Sequence, residues 1–579
     1  MGARSRTQPT VPLVRKSEAA DSQRKRALPS LIGLRPGPGW LLNPMVTGFA
    51  RLWRCLGSWR QALALVAIAA PLRFWRLGHP NSLVFDETYY AKDAWALLKY
   101  GVERDVVEDA DLIVNNGGDQ FFSEEAAYVV HPPFGKWVIA LGEGVFGMNP
   151  FGWRFAVALL GVIAVILVQR TMIALGASQS IAFLAGLAMA VDGIAIVLSR
   201  TALLDQVLMF TVLVAVWSGV KVIQTGMRRH LVLMAVALGL ATATKWSGLW
   251  YAVALFSVLF VVDLCRKQRP RMSRVATAFR HALVGVSLVT VTYLMTWAGW
   301  LLGDDGWGRG RTSGVSWLPQ PLRALLEYHR NNYSFHTGLT ADHPYGSDPL
   351  GWLLMLRPTS FWYTSNDTEM ISCGAPRCAG EVLALGNVVI WWVAVFAAVV
   401  FLGMFILNRL QEAERLGVLI PLLGLFAGWA PWLMYRERTT FNFYMIVVTP
   451  YICMLFAWFI SMIAQPGEAP KTAIRATLGR KPAAEGAVGG GELTKESATT
   501  PCSDQARDID QETHDRLISG DTVEEPAELH VGVFTARALI ALTLVLAMLA
   551  VSVFFYPVWS GMTLTREAWE ARMWFPSWI

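Results

Sequence analysis

The feature that most constrains this chain is its series of long apolar runs. Most of these runs come close to the ~20 residues that an α-helix needs to cross a bilayer. Only 16% of the residues are charged, against about 25% in soluble domains. The sequence therefore predicts an all-α polytopic membrane protein. The predicted spans lie near 61–77, 153–170, 180–198, 205–223, 230–244, 247–264, 281–301, 387–407, 416–434, 441–463 and 534–556.

One further apolar run, 132–148, is shorter and is interrupted by Glu143 and several glycines. If this run does not span, the basic connectors 227–230 and 265–271 both fall on the inner face, as the positive-inside rule requires. If it spans, both fall outside. We therefore predict that 132–148 is an amphipathic helix on the outer surface. This gives about eleven spans, with the N-terminus inside and the C-terminus outside.

This topology divides the chain into segments. No cleavable signal peptide is evident, so the first span is predicted to act as a signal-anchor. The +7 net charge reflects basic residues at the N-terminus and in inner loops, which does not indicate nucleic-acid binding. The predicted segments are a basic, disordered cytoplasmic tail (1–60), a transmembrane domain with outer loops 78–152 and 302–386 (61–463), a disordered cytoplasmic linker (464–532), and a final span with an extracytoplasmic C-terminus (533–579).

Two adjacent acids, Asp86 and Glu87, directly follow the first span. Carboxylates near a bilayer are costly unless they face water or have a function. The predicted topology places them on the outer side, with most of the other charged residues at helix ends. A transporter would more often place such groups near the midplane, so the pattern favours a reaction at the outer interface. The other charged or titratable residues that the predicted topology places at outer helix ends include Arg73, His131, Lys136, Arg154, Arg200, Asp205, Lys245 and Arg438.

Several of these residues also have structural interpretations. Arg73 could extend to lipid headgroups, and Lys245, beside a tryptophan, could be an interface anchor. Arg200 and Asp205 could form ion pairs between helices, and His131 could be an ordinary loop residue. Asp86 and Glu87 are harder to explain structurally because no basic residue adjoins them.

The sequence gives weaker evidence for metal binding and for a disulfide than for a charged site on the outer side. No His, Cys and Asp spacing resembles a zinc site, although the acidic pair could hold a divalent ion with a phosphate. Cys373 and Cys378 lie in the outer loop and could form a disulfide in an oxidising compartment. Two free thiols are the alternative.

Eight short stretches, taken together and in their order along the chain, resemble the protein O-mannosyltransferase family. Each stretch alone is weakly specific. The resemblance implies the multi-spanning fold of lipid-phosphosugar (GT-C type) glycosyltransferases, and it covers residues 60 to 463. The stretches are Val84–Glu87, His131–Lys136, Asn149–Phe155, Ser199–Asp205, Lys245–Leu249, His343–Ser347, Leu356–Pro358 and Arg438–Tyr444.

The chain departs from eukaryotic members of that family in two ways. Its large outer loop is too short for the inserted β-trefoil (MIR) domain, and the segment 464–532 has no recognised counterpart. In both respects the chain resembles a bacterial, actinobacterial-type member of the family, and such members use a polyprenyl carrier. The resemblance implies transfer of mannose from polyprenyl-phosphate mannose to Ser or Thr of exported proteins, in the cell membrane, without a cofactor or metal. The lipid bilayer and the protein-export machinery are the further expected partners.

The residues fit an inverting single displacement. Asp86 would be the catalytic base, and Glu87 would orient the acceptor or pair with Arg73 or another arginine. The leaving phosphate needs cations and no general acid. The expected phosphate ligands are Arg154 first, then Lys136, Lys245 and Arg438, with support from Arg73, His131, Arg200 and Asp205.

Two alternatives stay open at this stage. A transferase of the same fold could act on a lipid or glycan acceptor, and a transporter or flippase could move a lipid-linked sugar.

Overall fold

The computed structural model describes residues 58–266, 270–311, 316–367, 371–410, 412–464 and 529–579, and helices dominate them. The first helices are α1 (Ser58–Phe74), α2 (Glu87–Tyr100), α3 (Ala110–Asn115), α4 (Phe134–Phe146), α5 (Pro150–Ala174), α6 (Gln179–Val191), α7 (Gly193–Arg200), α8 (Leu204–Thr225), α9 (Arg228–Thr242), α10 (Gly248–Cys265), α11 (Arg271–Thr296) and α12 (Ala298–Leu302). They are followed by α13 (Gln320–Gly338), α14 (Val388–Ile406), α15 (Glu412–Trp429), α16 (Thr449–Ala464), α17 (Leu529–Ser560) and α18 (Arg566–Glu570). Short 3-10 helices cover Pro349–Leu354, Ala430–Met434, Asn442–Val447 and Pro576–Trp578.

The apolar runs of the sequence fall on these helices, and the chain is a multi-pass membrane protein. In the described part, 7 helices are long and apolar enough to cross a membrane. The pair α6 and α7, bent by 55°, gives up to 8 if it counts as one span. The remaining predicted runs fall on the shorter helices α1, α9 and α16. The helical class is confirmed, and the total of about eleven spans stays a prediction.

The bend between α6 and α7 has a local cause in Asp192. Its carboxylate caps α7 by accepting a hydrogen bond from the backbone N–H of Ala195, at 3.0 Å. Its other oxygen accepts from the backbone N–H of Asn387 and from Nε1 of Trp391, at 3.0 and 2.9 Å. A buried carboxylate is stable when hydrogen bonds satisfy it in this way. Asp192 thereby joins the bend to the start of α14.

The short run 132–148 forms α4, which has 13 residues and is too short to span a bilayer. It begins after Pro132 and Pro133, and it ends at Gly147, whose φ of 84° suits glycine. One side of α4 is buried, whereas Leu141 and Val145 are exposed by 67% and 72%. An apolar exposed side is typical of a helix that lies on a membrane surface. Its position on the outer face stays a prediction.

Two small antiparallel sheets lie between the helices. Strand β1 (Arg104–Val106) pairs with β2 (Phe122–Ala126). The other sheet has the order β3 (Thr359–Ser365), β4 (Cys378–Ala384) and β5 (Thr563–Thr565). The residues after α17 thus complete a sheet that begins in the segment 302–386.

The last residues are fixed by two side-chain contacts. Trp578 is buried and donates from Nε1 to the carbonyl of Met355, at 2.9 Å. Arg357 donates from Nη1 to the carbonyls of Ser577 and Ile579, at 2.7 and 2.8 Å. These bonds hold residues 577–579 against the segment that leads into β3.

The described residues fall into two compact units. Those up to Ile460, together with Leu544–Ile579, form one unit. The other, Ser461–Thr543, holds the last residues of α16 and the first part of α17. Most of the predicted tail (1–60) and linker (464–532) lies outside the described residues, so both stay predictions.

Candidate active site

The site is built around the start of α2, where the two adjacent acids lie. Glu87 is completely buried. Its carboxylate accepts hydrogen bonds from the backbone N–H groups of Val84 and Ala202, at 3.0 and 2.8 Å. It also forms a bidentate ion pair with Arg154, whose Nε and Nη2 lie 2.8 and 2.7 Å from its two oxygens. A buried carboxylate needs such partners, so Glu87 holds α2 in place and is not free for substrate.

Arg154, on α5, is fully buried as well, and its remaining donors are also used. Nη1 donates to the carbonyls of Leu77 and Pro80, at 3.2 and 2.8 Å, and Nη2 donates to that of Ser82, at 2.9 Å. All three guanidinium nitrogens therefore have partners within the chain. This arrangement corrects the expectation that Arg154 is the first phosphate ligand, because it leaves no donor for a substrate.

Phe85, on the other side of Asp86, has an unusual backbone conformation. Its φ is 48°, in the left-handed region that bulky side chains rarely adopt. Its ring stacks on Phe361 of β3, with centroids 4.8 Å apart, and meets Phe443 and Phe441 edge-on at 5.4 and 5.7 Å. This packing maintains a strained conformation next to a functional residue. Asp86 thus lies between two fixed neighbours.

Asp86 differs from Glu87 in having few partners. Its carboxylate is partly accessible, and the hydroxyl of Tyr90 lies 3.4 Å from Oδ2. Burial raises the pKa of Asp86 to about 6, although nearby Lys245 lowers it, and Asp205 raises it further. The carboxylate is ionised at neutral pH and is basic enough to accept a proton. With fewer partners than Glu87, Asp86 is the candidate base of the pair.

A cavity of about 520 Å³ is lined by residues whose charges act on Asp86, among them Lys245. Its polar end is formed by Asp205, Lys245, His131, His336, Arg438 and Tyr444. Another part of its wall is apolar and contains Leu249, Trp250 and Val253 of α10. Because the side chains of these three residues are 39–60% exposed on a predicted span, this wall opens toward the membrane. The cavity can hold a molecule with a polar head and an apolar tail.

Two of the expected cations, Lys245 and Arg438, lie in this cavity. Lys245 Nζ is 2.7 Å from Asp205 Oδ2 and 5.0 Å from the ring centroid of Tyr444. Arg438 Nη2 lies 3.3 Å from Nδ1 of His336. The Nε of Arg438 is buried and has no hydrogen-bond partner among the described residues. A buried unpaired donor at a cavity wall suits an anionic ligand.

His131 and His336 form the neutral part of the polar end. Their rings stack with centroids 5.1 Å apart. Burial lowers the pKa of His336 to about 4. Burial and the nearby Lys245 lower the pKa of His131 well below its usual range. His336 Nε2 lies 2.8 Å from the carbonyl of Val130, so the neutral ring donates there and accepts from Arg438 at Nδ1.

The third expected cation, Lys136 on α4, lies elsewhere. It is 1% exposed, hydrogen-bonds to Glu103, and has its Nζ 3.6 Å from Asp93 Oδ2. Burial raises the pKa of Asp93 to about 6, against the opposing effect of Lys136. Lys136 on α4 therefore pairs with Asp93 of α2 and with Glu103, which follows that helix. This placement corrects its expected role as a phosphate ligand.

Arg73 and Arg200 have structural roles instead of the expected supporting roles. Arg73 is fully buried and donates to the carbonyls of Met189 and Ala190, at 3.0 and 2.9 Å. Arg200 donates to the carbonyls of Arg73 and Trp75 at the C-terminal end of α1, at 3.0 and 2.7 Å. Cations are favourable at such helix ends. The two arginines tie α1 to α6 and α7.

The predicted cysteine pair is joined in this structure. Cys373 and Cys378 form a disulfide with their Cα atoms 5.9 Å apart. The bond closes the turn that leads into β4, and Cys378 lies opposite Thr565 of β5. Within the described ranges, no group of three or more His, Cys, Asp or Glu residues could hold a metal ion.

Sequence reasoning missed two residues of the cavity, His336 and Tyr444. Tyr444 closes one of the stretches that carry the family resemblance, so its position was a usable signal. His336 lies near the C-terminal end of the amphipathic helix α13. No spacing in the sequence distinguishes it from the other polar residues of that helix. Only the packing of α13 beside Val130 and His131 brings it to the cavity.

Comparison with family models gives two matches. Residues 63–300 match a family described as dolichyl-phosphate-mannose-protein mannosyltransferase. Residues 321–483 match the C-terminal four TMM region of protein-O-mannosyltransferase.

Two curated relatives and one solved structure extend these matches. The chain is 32% identical over 493 residues to a polyprenol-phosphate-mannose–protein mannosyltransferase of Mycobacterium tuberculosis, covering 77% of this chain and 87% of that relative. A Corynebacterium glutamicum protein of the same name is 28% identical over 417 residues, 65% of this chain and 76% of that protein. The structure resembles a chain of the Saccharomyces cerevisiae protein O-mannosyltransferase Pmt1–Pmt2 complex bound to the sugar donor. Its TM-score is 0.62 at 15% identity, over 90% of this chain and 92% of that chain. This likeness confirms the GT-C fold.

Proposed function

The chain belongs to the protein O-mannosyltransferase family, and we propose that it transfers mannose from polyprenyl-phosphate mannose to Ser or Thr hydroxyls of exported proteins. The named relatives support this activity over a lipid or glycan acceptor and over transport. The observation that carries the proposal is the position of Asp86. This carboxylate does not line the cavity itself, but the charges of Lys245 and Asp205, which do, act on its pKa. Tyr90 connects it to the cavity wall, with its hydroxyl 3.4 Å from Asp86 Oδ2 and its ring centroid 6.1 Å from that of His131.

The proposed reaction is one displacement at the anomeric carbon of mannose. The acceptor oxygen bonds to that carbon, its proton passes to Asp86, and the bond to the phosphate oxygen breaks. A second carboxylate is needed in retaining glycosidases, which form a covalent intermediate. Glu87 is fully engaged with Arg154, and Asp205 is engaged with Lys245. With Asp86 as the acting carboxylate, the anomeric configuration inverts.

We assign the phosphate to Lys245 and Arg438. The departing polyprenyl phosphate gains negative charge as the glycosidic bond breaks, and fixed cations stabilise it without a proton donor. Lys245 and Arg438 both line the cavity, where Lys245 pairs with Asp205, whereas Arg154 and Lys136 lie in buried ion pairs and do not line it. The neutral ring of His131 can contribute a further N–H donor. The apolar wall, including Trp250 and Val253, would receive the first isoprene units of the carrier.

The proposed location is the cell membrane, with the N-terminus in the cytoplasm and the site on the outer side. Basic connectors 227–230 and 265–271 support this orientation through the positive-inside rule. The disulfide of Cys373 and Cys378 also supports it, since disulfides persist in oxidising compartments. Acceptors that cross the membrane would then reach the site from the export machinery.

Replacing Asp86 tests the proposal. Asp86→Asn keeps the size of the side chain but removes its basicity, so mannose transfer to a Thr-containing peptide should fall by about 10²–10⁴-fold. Radiolabelled polyprenyl-phosphate mannose and purified protein provide the assay. The exposed acid Glu108 offers a matched control, and Glu108→Gln should retain activity. Near-normal turnover of Asp86→Asn, with the thermal stability of the parent, would remove Asp86 from the role of base.

A further inference from the structure

An aromatic surface begins at Phe85, the residue before Asp86. We call it the aromatic ledge and define it by Phe85, His343, Tyr345 and Phe441. The ring of His343 meets Phe441 edge-on at 4.9 Å and Phe85 at 6.0 Å, and Tyr345 lies 6.2 Å from it. His343 is exposed, and the other three rings are partly accessible. The ledge is therefore an accessible surface that begins at the residue before the proposed base.

Two ring contacts relate the ledge to the cavity. Lys245 lies 5.0 Å from the ring centroid of Tyr444, and Tyr444 lies 6.0 Å from Phe441. The order from cation to ledge is thus Lys245, Tyr444, Phe441 and Phe85. In an inverting displacement the nucleophile attacks the face of the sugar opposite the leaving group. With the phosphate at Lys245, the acceptor must approach from the side away from that cation, and in the series of contacts the ring of Tyr444 lies between Lys245 and the ledge residue Phe441.

Two arginines near the ledge have partners. Arg436 forms an ion pair with Asp348, with Nη2 2.5 Å from Oδ2. Arg357 donates to the carbonyls of Pro344, Ser577 and Ile579, and its guanidinium carbon lies 5.3 Å from the ring centroid of Tyr345. The ledge itself consists of ring faces and edges, and the charge of Arg436 is paired. Such a surface binds apolar side chains and excludes charged or strongly hydrated ones.

We propose that the aromatic ledge binds the apolar residues that flank the acceptor Ser or Thr, and so sets the sequence preference of the transferase. The occupant is a segment of extended polypeptide, held so that its hydroxyl reaches Asp86. The inference rests on the proposed function, since it takes a polypeptide as the acceptor. Its support is the continuity of the surface with Phe85, the direction of attack and the pairing of the Arg436 charge with Asp348.

Two peptides that differ only beside the acceptor Thr test this inference. One has Leu on both sides and the other has Asn, which is similar in size but polar. For the parent protein, kcat/KM should be about tenfold higher with the Leu peptide. His343→Ala should raise the KM for the Leu peptide about fivefold or more, with the KM for the Asn peptide and for the donor unchanged. His343→Phe keeps a ring and should keep the preference.

Control variants separate the ledge from general effects on folding. Trp317 is 82% exposed in the segment between α12 and α13, and Trp317→Ala should leave both peptides unaffected. Phe441→Leu keeps an apolar side chain but removes the ring, and it should reduce the Leu preference in the same way as His343→Ala. Equal use of both peptides by the parent, or an unchanged preference in both ledge variants, would overturn the ledge and leave mannose transfer intact. If the parent transfers mannose to neither peptide, both proposals fail.

Discussion

The strongest consequence of the geometry concerns Arg154. Arg154→Ala should lower stability first, and donor use only as a result. The change leaves the carboxylate of Glu87 buried with no cation, and breaking a buried ion pair from one side costs about 3–5 kcal/mol. The substitution also removes the hydrogen-bond donor of three backbone carbonyls, those of Leu77, Pro80 and Ser82. The start of α2 would then shift, and Asp86 with it.

A second variant distinguishes this cause from the loss of a phosphate ligand. In Glu87→Gln/Arg154→Met both charges are absent, but the new Gln has a single amide oxygen and can accept from only one of the two backbone N–H groups, that of Val84 or that of Ala202. Because one buried N–H stays unpaired, we expect the double variant to recover about 1 kcal/mol or more of the stability that Arg154→Ala loses. Unfolding by denaturant in detergent, followed through tryptophan fluorescence, measures both values.

Donor binding completes the test. Titration with polyprenyl-phosphate mannose should show near-normal affinity in whatever fraction of Arg154→Ala remains folded. Arg436, in an exposed ion pair with Asp348, is the matched control, and Arg436→Ala should change little. Unchanged stability together with lost donor affinity in Arg154→Ala would refute the reasoning and return Arg154 to the phosphate.

The other predictions concern the cavity and the base. Lys245→Ala and Arg438→Ala should each weaken donor binding by about tenfold or more, measured as donor KM, because each removes a cation from the polar end. Normal donor KM in both would place the phosphate elsewhere. Because burial raises the pKa of Asp86 to about 6, the acid must lose its proton before it can accept another. The kcat/KM should therefore fall about tenfold per unit below pH 6 and level off above it. A profile that is flat from pH 4.5 to 8, within the range of stable protein, would contradict this role.

Much of the fold could be predicted from local sequence patterns. Apolar runs of spanning length became helices, and the shorter run at 132–148 became α4 because its glycines and Glu143 interrupt the apolar pattern. The different surroundings of Asp86 and Glu87 could also be predicted, since adjacent side chains point in different directions; the roles of the two acids stay predictions. These are properties of neighbouring residues, which the sequence displays directly.

The assignment of the cations could not be predicted in this way. The local sequence around a lysine or arginine at a helix end is the same whether the cation binds a substrate or pairs with a carboxylate from a distant segment. Arg154 meets Glu87 across 67 positions, and Lys136 meets Glu103 across 33. Each of these cations has a lower free energy in its ion pair than alone in a buried site. That choice depends on tertiary packing, so two of the four expected phosphate ligands changed role.

The sheet beside Asp86 has a consequence for how the protein is made. Phe361, on which Phe85 stacks, belongs to β3, and the same sheet is completed by β5 after the last long helix. At ~5–20 residues per second, the ribosome adds β5 on the order of 10–40 s after β4. During that interval β4 has one neighbour instead of two, and Trp578 is not yet available to pack beneath Met355. The sheet that packs against Phe85 is therefore among the last parts of the molecule to be finished, and its completion depends on the synthesis of the residues that follow α17.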